Sequence, residues 1–389
     1  MLDALRRMLR PMRQIWEMSF APGGEEALGI LSGAPYDVIV TDMRMPGMDG
    51  ATLLAEVMSC HPEVVRIVLS GQADRDVVLG AVGLIHQYLS KPCDAETLMT
   101  TVDRACTVSA LLADGELKRR AARLESLPSL PSLHRAFVRE IESPQASAKA
   151  VAQIVSRDLG MSAKVLQLVN SAFFGLMRHV AHPEQAAIYL GLDTLKVLSL
   201  SAHAFSQVEQ VHLDALLLTA LWEHSITVAT FARELARAES AEQKLADQAF
   251  SAGLLHDVGR LVFAACMPEQ FSSALGLATP AGTALLEAER QTLGATHADV
   301  GAYLLALWGL PEPLVMAAAF HHSPAQAVQT GFGPLVAVHI ADALAYELRG
   351  AAYAPAAPQI NLPWLESQGL STRLDRWRAC CQRAILEGT

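Results

Sequence analysis

Residues 37–50 read DVIVTDMRMPGMDG. A short apolar run closes on Asp42 and enters a loop punctuated by Pro46, Gly47 and Gly50, the pattern of a buried strand ending in a turn. The Asp42 carboxylate is thereby placed at the carboxyl end of a strand, in an exposed loop. Upstream, residues 2–10 read as a helix, 14–20 (QIWEMSF) as a strand, and GGEEALGILSG as a helix with an acidic first turn. Downstream, ATLLAEVMSC is a helix, VVRIVLSG an all-apolar strand, DRDVVLGAVGL a helix, HQYLS a short strand and AETLMTTVDRAC a helix. Strands alternating with helices of about ten residues predict a doubly wound parallel sheet covered on both faces. Polar groups in such a sheet collect at the carboxyl ends of neighbouring strands. Asp42, Ser70 and Lys91 each close a predicted strand.

The pattern changes after residue 105. Residues 106–126, including SALLADGELKRRAARLES, read as one long polar helix that ends at LPSLPSL, where two prolines forbid continuation. The domain boundary falls there. Beyond residue 133 no strand is expected. Apolar residues recur at helical spacing through AVAQIVSRDL, SAKVLQLVNSAFF, TLKVLSLSAHAF, SITVATFARELA and AFSAGLLHDVGRLVFAA, so residues 127–350 form an all-helical domain. A Pro/Ala-rich connector (351–363) and a helical tail, LDRWRACCQRAIL, occupy residues 351–389.

Composition narrows the classes. The 389 residues are 51% hydrophobic and 18% charged, enough to build large cores and unlike a disordered chain. The net charge of −10, with no Lys/Arg cluster interleaved with aromatics, argues against a nucleic-acid surface. Six scattered cysteines without a CxxC pair suit a reducing cytosol. No run of 18 uninterrupted apolar residues and no signal-peptide core occurs, so neither a membrane span nor export is expected. GxSxG, Walker and dinucleotide glycine patterns are absent.

On Asp42, Pro46, Gly50, Ser70, Tyr88 and the pair Lys91–Pro92, residues 1–105 resemble a response-regulator receiver domain of flavodoxin-like fold. The resemblance implies Asp42 as phosphoacceptor, Ser70 as the hydroxyl on the phosphoryl group, Lys91 as its cationic partner and Tyr88 as the aromatic that rotates on activation. An aspartyl nucleophile does need a cation and donors around the transferred group. The resemblance also implies a cognate histidine kinase and Mg²⁺, held by two acidic residues at the end of a first strand. Residue 1 here falls inside what should be the helix after that strand. Either the start is set downstream of the true one or the strand is lost, and the otherwise intact site favours the former. The chain as given is expected to load little or no phosphate onto Asp42.

Residues 127–350 resemble the HDOD domain, related to HD-type phosphohydrolases. The resemblance rests on LPSLPSL, SRDLGMSAKVLQLVNSAFFG, AIYLGLDTLKVLSL, GLLHDVGRL, ATHADVGAYLLALWGLP and AFHH. In HD phosphohydrolases a first histidine, a His–Asp pair and a distant aspartate hold metal, and His224, His256, Asp257 and Asp342 match in that order. His297, His321 and His322 are similar to the additional ligands of the bimetallic HD-GYP branch, although its Gly-Tyr-Pro signature is absent. Imidazoles with carboxylates suit Fe, Mn, Zn or Ni. Neighbours on a helix point about 100° apart, so His256 and Asp257 are expected to reach one metal only from its rim. Asn170–Ser171 with Phe173–Phe174 reads as a helix end with aromatic anchors. His134, His179, His182, His203 and His212 belong to no pattern. HDOD domains are regulatory as a family. The expected function is therefore a receiver-controlled output acting through protein–protein interaction, plausible partners being cyclic-dinucleotide enzymes or a second copy of the chain. The connector would carry the signal, and a receiver-gated metal-dependent phosphohydrolase is the alternative.

Overall fold

A computed structural model describes residues 2–71, 75–108, 111–170, 180–200, 206–207, 215–278, 284–349 and 358–387. Strands β1 (Val38–Asp42), β2 (Val65–Ser70) and β3 (Gln87–Ser90) form a parallel sheet in the order β1-β2-β3. In register, Asp42 lies beside Leu69, and Ser70 beside Ser90. Around the sheet lie helices α1 (Leu2–Met8), α2 (Gly24–Gly33), α3 (Gly50–Cys60), α4 (Arg75–Gly80) and α5 (Ala95–Val108). Central β2 is buried along its whole length, whereas four of five β1 residues are only partly buried. A strand with a neighbour on one side only has one edge uncovered.

Three local expectations fail. Residues 14–20 are not a strand: a 3-10 turn spans Arg10–Gln14, and the chain then continues irregularly, without a sheet partner among the described residues. Alternation persists there, Trp16, Met18 and Phe20 being half-buried between exposed Glu17 and Ser19, but a strand is defined by its neighbour's hydrogen bonds. The polar helix of 106–126 is broken. α5 stops at Val108, and α6 (Gly115–Ala122) starts afresh because the Asp114 side chain caps it, accepting from Leu117 N at 2.7 Å. Finally, β2 is not all apolar. Fully buried Arg66 donates to Leu84 O (2.6 Å), Pro62 O (3.2 Å) and Ala122 O (2.8 Å), tying the sheet to α6.

The second domain is helical: α7 (Pro131–Glu142), α8 (Ala148–Val155), α9 (Leu159–Asn170), α10 (Pro183–Leu200), α11 (Ala215–Glu239), α12 (Gln243–Leu255), α13 (Val258–Cys266), α14 (Pro268–Leu277), α15 (Leu285–Leu293), α16 (His297–Leu307), α17 (Glu312–Phe320) and α18 (Pro334–Arg349). One strand pair does occur, contrary to expectation: Pro128–Ser129 lies parallel to Ser206–Gln207. Ser129 Oγ and Leu130 N both donate to buried Asp158, which fixes the LPSLPSL loop. Asn170 clamps Val180 through two hydrogen bonds, while Ser171, Phe173, Phe174, His179, His203 and His212 lie outside the described residues. Two further helices, α19 (Leu362–Ser367) and α20 (Leu374–Glu387), return the tail to α11, where Trp377 Nε1 donates to Glu239 at 2.9 Å. The span Gln243–Cys266 is long and apolar enough to cross a membrane, but it is the interior pair α12–α13.

The two domains share one hydrophobic core. The receiver-like unit docks directly through β3 and the segment before it, in addition to the connector. Gln167 of α9 donates to His86 O at 3.0 Å. Gln87 of β3 donates to Leu307 O at 3.1 Å. The fully buried Lys164 ammonium donates to Glu125 O (2.6 Å) and Val82 O (3.4 Å).

Candidate functional site

At the sheet edge, Asp42, Ser70 and Lys91 lie at the ends of adjacent strands. Lys91 Nζ is 2.5 Å from Asp42 Oδ2, and Lys91 N donates to Ser70 O at 2.8 Å. Asp42 Oδ1 accepts from Arg44 N at 3.3 Å, and the Ser70 hydroxyl donates to Gly71 O. The loop returns tightly into α3: a β-carbon at Gly50 would overlap the Asp42 carbonyl oxygen, so only glycine fits. Tyr88 is turned inward and buried, its hydroxyl donating to Val82 O at 3.3 Å. Asp42, Ser70 and Lys91 are therefore brought together, while the Tyr88 hydroxyl is bonded at Val82. Among the described residues Asp42 joins no cluster of three potential metal ligands.

The helical domain brings all seven anticipated residues together, as two adjoining groups. His224, His256 and Asp342 form the first; Asp257, His297, His321 and His322 form the second. His224 comes from α11 and Asp342 from α18, and His224 Nε2 lies 3.0 Å from Asp342 Oδ1 across 118 positions of sequence. His256 ends α12, and Asp257 leaves helical geometry (φ −97°, ψ 12°) as the cap of α13. The break turns the two side chains in different directions, yet they stay adjacent. His256 faces the first group, whereas Asp257 lies between the groups. Asp257 Oδ2 is 3.5 Å from His256 Nε2, and its Oδ1 is 3.1 Å from His297 Nε2 and 3.6 Å from His321 Nε2.

A second layer orients the rings. His256 Nδ1 donates to Gly253 O (2.7 Å) and His321 Nδ1 to Ala318 O (2.9 Å). Their Nε2 atoms are thereby turned inward, buried and without a hydrogen-bond partner among the described residues, and face carboxylate oxygens. For a neutral ring such an Nε2 lone pair facing a carboxylate in a buried site is unfavourable unless a cation lies between them. The donor set, imidazole and carboxylate, suits a divalent transition metal. Burial pushes His256 down to about 4, favouring the neutral ligand form. Asp257 and Asp342 are held below the usual carboxylate range despite burial. Arg260, helped by the bonded His297, outweighs desolvation for Asp257, and the bonded His224 does so for Asp342. Burial and the neighbouring His321 and His297 push His322 well down.

Sequence reasoning missed several supporting residues. Glu289 of α15 is fully buried; its carboxylate accepts from His297 Nδ1 (2.8 Å) and from His297 N (2.9 Å). Burial would lower His297, but Glu289 outweighs it and holds the imidazole up at about 9. Arg260 Nη1 is 3.3 Å from Asp257 Oδ2. His339 Nδ1 donates to His321 O (2.7 Å), while its Nε2 accepts from Asn361 N (2.9 Å), so the returning tail props the histidine pair. The available signal for Glu289 was a carboxylate on the apolar face of α15, between Ala288 and Leu293.

Comparison with known proteins agrees with both halves. The HDOD domain family matches residues 127–324, over half the chain, and the response regulator receiver domain family matches residues 1–103. The chain belongs to the HDOD family and joins that domain to a receiver, the organisation of a response regulator. An uncharacterized protein of Treponema pallidum is 29% identical over 205 residues, covering 52% of this chain and 39% of that one. The hydrogenase transcriptional regulatory protein HoxA of Cupriavidus necator is 32% identical over 203 residues, covering 48% and 42% respectively. The chain thus spans about two-fifths of the length of these relatives. The crystal structure of the MmoQ response regulator from Methylococcus capsulatus has a similar fold, with TM-score 0.50 and 24% identity over 65% of this chain and 98% of that one. A receiver domain implies interaction with a histidine kinase.

Proposed function

We propose that this response regulator carries a two-metal centre in its HDOD domain and hydrolyses phosphoesters there under receiver control. The carrying observation is the pair of buried Nε2 atoms of His256 and His321, without hydrogen-bond partners among the described residues and turned toward the Asp257 carboxylate between the two ligand groups. His224, His256 and Asp342 would hold one metal; His297, His321 and His322 would hold the other, with Asp257 between them. Such a pair, when bound, supplies Lewis acidity for a phosphoryl oxygen and for attacking water. The chain's own residues do the rest. Glu289 fixes the His297 ring, Arg260 steadies Asp257, and the break after His256 sets Asp257 beside both groups. At the receiver, Asp42 would accept the phosphoryl group and Lys91 would pair with it, Ser70 and Tyr88 responding as in the family. Mg²⁺ would be required there.

Metal analysis of full-length protein purified without chelator tests the centre, expected to give about two transition-metal equivalents per chain. Hydrolysis of a phosphomonoester and of cyclic dinucleotides with Mn²⁺ or Fe²⁺ tests the reaction, expected to vanish in His256→Ala. Absence of bound metal, with no change on that substitution, would discard the reading.

A second reading has its own support. Most of the ligand side chains are shut away from solvent, which leaves little approach for a large substrate, while Ile188 and Tyr189 of α10 stand exposed. In that reading the centre is structural and the output is protein–protein interaction. Stoichiometric metal without hydrolysis of any phosphoester tested would favour it.

A further inference from the structure

Helix α16 has a candidate metal ligand at one end and the receiver domain at the other. His297 is its first residue. At its far end, Gln87 Nε2 of β3 donates to Leu307 O at 3.1 Å and to Ala306 O at 3.5 Å. The last carbonyls of a helix lack intrahelical partners, so a receiver side chain completes the end of α16. The chain turns away at Gly309 (φ +69°), where a β-carbon would crowd Gln87 at 3.2 Å. The neighbouring switch residue is engaged at the same place. Tyr88 and Lys164 both donate to Val82 O, and the Lys164 ammonium lies 5.4 Å from the ring centroid of Trp308, the residue after α16.

There is little slack between α16 and Asp257. Gly259 of α13 meets α16 backbone to backbone, and a β-carbon there would overlap the His297 carbonyl oxygen. A shift of α16 must carry α13, and with it Asp257. α16 also packs on α17, whose end bears His321 and His322, and on α5 and α6. The helices of the other group are mounted differently: among the described residues α11, α12 and α18 pack chiefly on one another, α12 and α18 also rest on α17, and none of the three packs extensively on α16.

We infer that the receiver sets metal affinity at the Asp257–His297–His321–His322 group through α16 and acts much less on the His224–His256–Asp342 group. This rests on the metal-binding reading above. Two states can be biased only by interactions that differ between them, and the Gln87 bonds are made or lost with the position of β3.

Calorimetric titration of chelator-stripped full-length protein with Mn²⁺ tests the inference. In Gln87→Ala, one equivalent should weaken by at least about fivefold while the other stays within about twofold, a modest coupling by the usual scale. Coupling is reciprocal, so Mn²⁺ should also slow amide hydrogen exchange across residues 82–90 in the unaltered protein, a readout that needs no variant. Two unchanged equivalents in Gln87→Ala, equal weakening of both, or unaltered exchange would each overturn the inference and leave the metal reading intact. Unaltered protein that binds no Mn²⁺ would overturn both.

Discussion

The receiver site and the histidine site are built in opposite ways. The first draws three groups from the ends of neighbouring parallel strands, at an open edge where the Asp42 and Lys91 side chains remain 14% and 31% exposed. The second draws seven residues from helices far apart in sequence, and His256, Asp257, His297 and His321 are at most 2% exposed. A strand end displays its chemistry to solvent and adds little to the fold. A helical interior that contains carboxylates must balance them, so its chemistry and its stability are one problem.

The sharpest way to break this contrast is Asp257→Ala. It removes the carboxylate that faces His256, His297, His321 and Arg260 at once, leaving a buried guanidinium beside clustered imidazoles. Metal-free protein is expected to lose about 3–5 kcal/mol, the cost of breaking a buried ion pair. Denaturant unfolding followed by circular dichroism measures it. A midpoint equal to that of unaltered protein would mean the buried site is as dispensable to folding as the exposed one.

The same contrast explains what could be read from the sequence. Asp42, Ser70 and Lys91 were legible because each ends an apolar run, and a parallel sheet brings strand ends together without further information. The seven histidine-site residues were legible by their order, but their division was not. It depends on Asp257 leaving helical geometry at one residue, which no period in the sequence records. Glu289, eight positions before His297, looked like an ordinary helical glutamate. Gln87 and Lys164 were invisible for a different reason: their partners are backbone carbonyls of the other domain, and a carbonyl has no sequence signature. The strand expected at 14–20 failed in the converse way, since its own alternation is present but no neighbouring strand pairs with it among the described residues.

Between the extremes lies the domain interface, and Lys164 places it nearer the buried end. Burial lowers this lysine from 10.5 to about 7, with Glu125 opposing the shift. At pH values below about 7 both folded and unfolded chains hold the proton, and the cost of burying the charge is felt in full. As pH rises from about 7 toward 10.5 the folded chain releases its proton while the unfolded chain keeps it. Lys164 thus makes stability climb with pH in that window, by at most about 1.4 kcal/mol per unit. Lys164→Met should remove this climb. The check is the difference in unfolding free energy between the two proteins at pH 7 and pH 9, and a difference that stays constant would detach Lys164 from the interface electrostatics.

The smallest effect is expected at the receiver edge. Lys91→Met breaks the Asp42 ion pair, but both side chains already touch water, so screening leaves the bond worth under about 1 kcal/mol to folding. Thermal unfolding of the variant should nearly overlay that of the unaltered chain. Its chemical consequence is separate, because in the proposed role the ammonium would meet a phosphoryl group on Asp42, and a point charge matters more to an arriving anion than to a folded state that can replace it with solvent. Uptake of phosphate from acetyl phosphate and Mg²⁺, read by intact mass, is expected to be lower in Lys91→Met than in the unaltered chain. If instead Lys91→Met unfolded the protein as severely as Asp257→Ala, the edge of the sheet would have to be counted as part of the core, and the distinction between a displayed site and a load-carrying one would not hold for this molecule.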